Sequence, residues 1–209
     1  MRTAPLATLA LALALSACSP VADRPARAGV VEDAAAKVGA LAPDFSLKDL
    51  DGADFTLSAH RGEVVVLEWF NPDCPFVKHA YGDGPLKDAG TRWTAKGVTW
   101  VAINSGKPGK QGTGAERNRE ARADYAMAAP VLLDESGDVG RLYGAVTTPQ
   151  IYVVDKAGTL VYNGALDDQP LGRGAGAPRV YADEVLAAVT EGAPAPYGRQ
   201  KPYGCSVKY

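Results

Sequence analysis

The run Val64-Val65-Val66-Leu67-Glu68-Trp69-Phe70, followed at once by Asn71-Pro72-Asp73-Cys74-Pro75, constrains this chain more than any other segment. β-Branched and aromatic residues in such a run favour a buried strand, entered here through the Arg61-Gly62 turn. Asn-Pro-Asp stops the strand. Pro75 suits the first position of a helix, where its missing N–H costs nothing. The spacing therefore predicts strand, turn and helix, with Cys74 at the junction. A thiol there lies near unpaired N–H groups and the positive end of the helix dipole, and both favour the thiolate that attacks sulfur. The bland alternative is a small buried hydrophobe, as free cysteines often are.

The rest of the chain alternates strands with helices. Residues 75–93 are helix-compatible, with an interruption around Gly82-Asp83-Gly84-Pro85. Residues 98–104 read as a second core strand, and the polar, glycine-rich stretch 106–114 as a flexible loop over the site. A helix follows over 115–127, then a short strand at Val131-Leu132-Leu133 and a short helix over 139–143. Segments 151–154 and 160–162 flank the turn Asp155-Lys156-Ala157-Gly158 as a hairpin, and 178–191 holds the last helix. This order predicts an α/β domain around a mixed sheet.

At the N-terminus Arg2 precedes an apolar run over 6–15, and small residues lead into Cys18. The run is shorter than the roughly 20 residues a spanning helix needs, so it reads as a processing segment. Leu15-Ser16-Ala17-Cys18 resembles the lipobox of bacterial lipoproteins. That resemblance implies removal of 1–17, lipidation of Cys18, and a tether over 18–37. It also implies attachment to the periplasmic side of the envelope, the outer membrane more than the inner. Two further cysteines remain, Cys74 and Cys205. An exported chain permits them a disulfide, but spacing alone does not make them meet. Residues 38–191 suit one domain, and 192–209 form a glycine-flanked tail expected to be flexible. The formal net charge is −2, without a dense basic tract, which argues against a nucleic-acid partner.

Several segments together resemble the thioredoxin superfamily, in its exported thioredoxin-like and peroxiredoxin-like (AhpC/TSA-type redoxin) branch. Leu41-Ala42-Pro43-Asp44-Phe45-Ser46-Leu47, with Asp51-Gly52 and Leu57, is similar to that branch's N-terminal hairpin. Residues 68–77 lie where the family carries its strand and Cys-x-x-Cys. Thr148-Pro149 followed by Ile151-Tyr152-Val153-Val154-Asp155 resembles the cis-proline loop and its strand. Tyr203-Gly204-Cys205-Ser206 resembles the Gly-Cys-Ser tail of a peroxiredoxin-like subgroup. The resemblance implies a thioredoxin-like fold with an N-terminal hairpin extension. It implies Cys74 as nucleophile and Glu68 as a buried proton acceptor. Cys205 is the candidate resolving thiol, in a tail able to fold over the mouth of the Cys74 site; an intermolecular role and an unrelated structural or idle thiol are its alternatives. Trp69, Pro75, Thr148 and Pro149 would bind substrate.

The departures are as informative. Val77 replaces the second cysteine of the motif, so no neighbour within it can release a mixed disulfide. Counting back from Cys74, Asn71 and Leu67 stand where a peroxiredoxin has Thr/Ser and Pro, and Gln150-Ile151 replaces its later arginine. Lys78 is placed to hold the thiolate electrostatically and His79 is rotated away; both also read as ordinary helix surface. His60 and His79 give no metal-ligand spacing, and Asp167-Asp168 suggests no chemistry. No cofactor is implied. The expected activity is extracytoplasmic thiol–disulfide exchange with a cysteine-bearing envelope protein or a small disulfide. An atypical peroxide-reducing antioxidant and a non-enzymatic lipoprotein are the alternatives.

Overall fold

The computed structural model describes Met1 and residues 35–209, and the expectations for 2–34, Cys18 among them, lie outside these. Asp49 sets the first turn: its Oδ1 accepts hydrogen bonds from the N–H groups of Asp51 (2.9 Å) and Ala53 (2.8 Å). The resulting hairpin pairs β1 (Ser46–Asp49) with β2 (Asp54–Thr56). β3 (Val64–Trp69), α1 (Pro75–Gly82), α2 (Ala89–Thr94), β4 (Val98–Asn104), α3 (Ala115–Asp124), β5 (Val131–Leu133) and α4 (Asp138–Tyr143) follow. Next come β6 (Thr147–Thr148), β7 (Gln150–Val154), β8 (Leu160–Gly164), α5 (Tyr181–Thr190) and β9 (Cys205–Ser206).

Seven strands form one mixed sheet in the order β2-β1-β5-β4-β3-β7-β8, while β6 and β9 form a separate pair. β3 lies parallel to β4 and antiparallel to β7. Its run is almost wholly apolar because both faces are covered. Val64 and Val66 pack on one side against α1, α2, α3 and α5. Val65, Leu67 and Trp69 pack on the other against α4, Phe45 and Phe55. This is the thioredoxin-like arrangement, a central mixed sheet between helices, extended by the N-terminal hairpin. Among the described residues, no helix is long and apolar enough to cross a membrane.

Some boundaries and two segments differ from expectation. α3 ends at Asp124, and the chain turns at Ala126, whose φ is +49°. α5 begins at Tyr181. The tail is a packed strap. Its N–H groups at Gln200 and Val207 bond to the carbonyls of Asn163 and Val146, and the Tyr209 hydroxyl bonds to Ala145 O. A side chain at Gly164 would meet Gln200 O at 2.3 Å, so that glycine lets the strap lie close. The stretch 106–114 is likewise pinned: Asn104 and Asn118 both donate side-chain hydrogen bonds to Gly112 O, at 2.8 and 3.3 Å. Glycine content signalled flexibility in both segments, whereas distant amides and hydroxyls fix them.

Candidate active site

Cys74 sits at the N-cap of α1 with extended φ/ψ (−72°, 124°), Pro75 following at the first helical position. The preceding turn is built by Asn71, whose Oδ1 accepts the Asp73 N–H at 2.9 Å and whose carbonyl accepts the Cys74 N–H at 3.1 Å. Asn71 Nδ2 donates to Gln111 O at 3.0 Å, Arg117 pairs with Asp73 at 2.8 Å, and the Tyr125 hydroxyl donates to Pro72 O at 2.8 Å. The turn is thus clamped by the glycine-rich loop and α3. Cys74 itself is 1% exposed.

The Thr148–Pro149 peptide bond is cis. As a thiol, Cys74 donates from Sγ to Thr148 O at 3.0 Å. The antiparallel pairing of β6 with β9 sets Thr148 opposite Cys205, so the tail delivers Cys205 beside Cys74. Both thiols are free. Burial works against the Cys74 anion. The Cys205 thiol, the Thr148 hydroxyl and the N–H groups of Val77 and Cys205 more than offset it, and the thiol falls below its ordinary value. The Thr148 hydroxyl has no aligned partner in the thiol arrangement, which leaves it free to turn to the anion. Cys205 moves oppositely: burial, its hydrogen bond to Cys74 and the charge there push it up to about 11. Within the pair, Cys74 carries the charge and Cys205 the proton.

Glu68 is fully buried on the Cys74 side of the sheet. Its carboxylate accepts hydrogen bonds from the Tyr81 hydroxyl at 2.8 Å and Trp100 Nε1 at 3.0 Å. Burial pushes its acid up to about 7, against the pull of those two donors. The carboxylate makes no hydrogen bond to either sulfur: its partners are the two aromatic residues. Trp69, expected to touch substrate, is corrected by its position. It is wholly buried on the opposite face, packed on Tyr143 and Tyr152, and its Nε1 donates to Ser105 at 3.0 Å. Strand alternation sends Glu68 and Trp69 to opposite layers, so only one of them can share the thiol's side.

Pro75 is exposed beside Cys74, and Lys78 points to solvent and is not among the groups acting on the thiol. His79 lies against Gly172, while His60 stacks on Phe55 and pairs with Glu63. Among the described residues, no three metal-capable side chains cluster. Gln150, standing where peroxiredoxins place an arginine, braces the site: its Oε1 accepts the N–H groups of Val146 (3.0 Å) and Thr147 (3.3 Å), and its amide donates to Tyr152 and Asn163. Sequence reasoning also missed Asp167, which accepts the Tyr203 hydroxyl at 2.7 Å and so ties the tail two residues before Cys205. Tyr81 was within reach: Cys74, Val77 and Tyr81 share one helical face by spacing.

Residues 38–163 match the AhpC/TSA family, more than half of the 209 residues. The chain belongs to the AhpC/TSA family. Within reach of this AhpC/TSA protein by sequence, thiol-disulfide oxidoreductase ResA of Geobacillus thermodenitrificans (strain NG80-2) is 29% identical over 135 residues, 61% of this chain and 68% of that protein. Chloroplastic peroxiredoxin Q of Gentiana triflora is 27% identical over 138 residues, 60% of this chain and 58% of that protein. A crystal structure of a hypothetical protein from Sinorhizobium meliloti 1021 is similar at TM-score 0.74 and 29% identity, covering 83% of this chain and 94% of that one. An uncharacterized conserved protein from Geobacillus kaustophilus has the same TM-score at 30% identity, covering 83% and 92%. The family and the likeness to thiol-disulfide oxidoreductase ResA support a thiol-redox function for this AhpC/TSA chain.

Proposed function

We propose that this chain is an extracytoplasmic thiol–disulfide oxidoreductase in which Cys74 is the nucleophile and Cys205 the resolving cysteine. One observation carries the reading: β9 holds Cys205 beside a Cys74 whose anion is favoured. The Cys74 thiolate attacks one sulfur of a substrate disulfide, forming a mixed disulfide and expelling the other sulfur as a thiolate that takes up a proton. Consuming the charge on Cys74 removes one cause of the high Cys205 value, so Cys205 loses its proton more readily. Its thiolate then attacks Cys74 Sγ, closing the Cys74–Cys205 disulfide and releasing the second substrate thiol. Two electrons have passed to the substrate, and an external dithiol restores the pair; the reverse sequence oxidises a dithiol. Tethering makes the second step intramolecular.

The burial of Cys74 favours a second reading with the same pair. A small peroxide oxidises the thiolate to sulfenic acid, and Cys205 condenses with it, releasing water. Mild oxidation of the purified protein followed by mass spectrometry tests the pair itself: wild type should give one intramolecular disulfide, and Cys205→Ser should accumulate a mixed disulfide or sulfenic acid at Cys74. A faster loss of thiols with peroxide than with a small disulfide selects the second reading. No Cys74–Cys205 disulfide under either oxidant would remove the resolver.

The N-terminal pattern supports placing the protein on the periplasmic side of the envelope through a lipid on Cys18, its partners being cysteine-bearing envelope proteins or small disulfides. The mature protein should begin at Cys18 and fractionate with membranes, and Cys18→Ser should release it. Unchanged lipid attachment in that variant would overturn the assignment.

A further inference from the structure

β9 occupies the backbone edge of β6 that flanks Cys74. Thr147 faces Ser206, Thr148 faces Cys205, and Val207 N–H continues the contact to Val146 O at 3.1 Å. An extended peptide approaching Cys74 would use this same edge, because unpaired strand backbone is what an added strand recognises. The tail keeps one side open to solvent. Every residue from 201 to 209 is at least partly exposed, although Cys74 beneath is 1% exposed. Two local features fix its fit. Gly204 has φ +136°, and a side chain on it would meet Thr148 O at 2.1 Å. Tyr203 packs on Phe76 at 5.9 Å between ring centres and donates its hydroxyl to Asp167 at 2.7 Å.

We propose that the tail is a displaceable self-substrate: when it lifts, the β6 edge takes in trans an extended peptide with glycine immediately before its cysteine, and the Tyr203–Asp167 hydrogen bond is the latch that governs lifting. The proposal rests on the reading of Cys74 as nucleophile. The glycine requirement follows from the missing room above Thr148 O, which any residue before the cysteine must respect while paired. An aromatic residue before that glycine gains the Phe76 ring. Asp167 is a positioning residue, acting on Cys205 through Tyr203. With the peptide's cysteine presented as a mixed disulfide with glutathione, the Cys74 thiolate attacks the peptide sulfur. The Cys74–peptide S–S bond forms, the peptide–glutathione bond breaks, and glutathione leaves as thiolate.

The test uses full-length Gly204→Ala/Cys205→Ser, in which the tail is displaced and no resolving thiol remains. Its probes are glutathionylated Tyr-Gly-Cys-Ser and Tyr-Ala-Cys-Ser peptides. The glycine peptide should join Cys74 about tenfold faster than the alanine peptide, a difference of roughly 1.4 kcal/mol. In Cys205→Ser alone, with the tail docked, both should react slowly. Should Gly204→Ala unfold by circular dichroism, Tyr203→Phe/Cys205→Ser runs the same comparison, having lost only the latch hydroxyl. Equal rates for the two peptides would overturn the inference. Iodoacetamide labelling of Cys74 in the same samples separates the two readings: a reactive Cys74 without peptide preference sinks only the inference, and an inert Cys74 sinks the proposed function as well.

Discussion

Burial and hydrogen bonding pull the Cys74 sulfur in opposite directions, and hydrogen bonding prevails. The same contact makes Cys205 the reluctant partner, at about 11. The thiol with the lower value holds the larger share of thiolate at neutral pH, and the thiolate is the species that is alkylated. A reagent small enough to pass the tail should therefore alkylate Cys74 before Cys205. Timed iodoacetamide labelling at pH 7 read by mass spectrometry measures this, and a faster Cys205 would reverse the assigned roles. The position of Cys74 was legible because its causes are local: a β-branched run, Asn71-Pro72-Asp73, and Pro75. That of Trp69 was not. A strand covered on both faces is apolar at every position, so composition does not reveal which residue shares a face with the thiol.

At the scale of elements, the site is held by contacts between segments far apart in sequence. The turn before Cys74 leans on the loop after β4, where Gly112 has φ +73° and an added Cβ would lie 2.0 Å from Asn71 Oδ1. Both the positive φ and the collision oppose a side chain there. Gly112→Ala should cost roughly 1–3 kcal/mol in urea unfolding, the range of strained backbone positions, and should change the alkylation rate of Cys74 by shifting its turn. A variant within about 0.5 kcal/mol of wild type would mean the loop does not hold the turn. Helices and long strands were readable from their patterns: β4 occupies the expected residues, and the break between α1 and α2, residues 83–88, includes the expected Asp83-Gly84-Pro85. The pairing of β6 with β9 was not, since two residues on each side carry no periodic signal and the register depends on Gly204, Gln150 and Asp167.

For the whole molecule, the buried carboxyl of Glu68, enclosed between sheet and helices with Tyr81 and Trp100 as its partners, couples stability to pH. Its folded value of about 7 stands above the ordinary 4.5. Between those values the folded protein keeps a proton that the unfolded chain has released. Stability contributed by this group is therefore fully present below about pH 4.5, falls as pH rises to 7, and stays at the lower level above. A shift of this size corresponds to about 3 kcal/mol at most. Glu63, whose value is lowered, acts with the opposite sign at more acid pH, and the Cys74 thiol, also lowered, adds stability as pH rises toward the ordinary thiol value. The comparison that isolates Glu68 is wild type against Glu68→Gln, which stays neutral throughout and still offers an oxygen to Tyr81 and Trp100. Urea unfolding at pH 5 and pH 7.5 should show wild type losing about 2–3 kcal/mol relative to the variant. Equal slopes would show that Glu68 keeps its charge in the folded state. The exchange rate of Cys74, measured on the same pair of proteins, tests the expected proton-acceptor role. With both carboxylate oxygens engaged by aromatic donors and none by sulfur, Glu68→Gln should alter stability more than rate. A large fall in rate at an unchanged Cys74 titration would instead place Glu68 in the proton path.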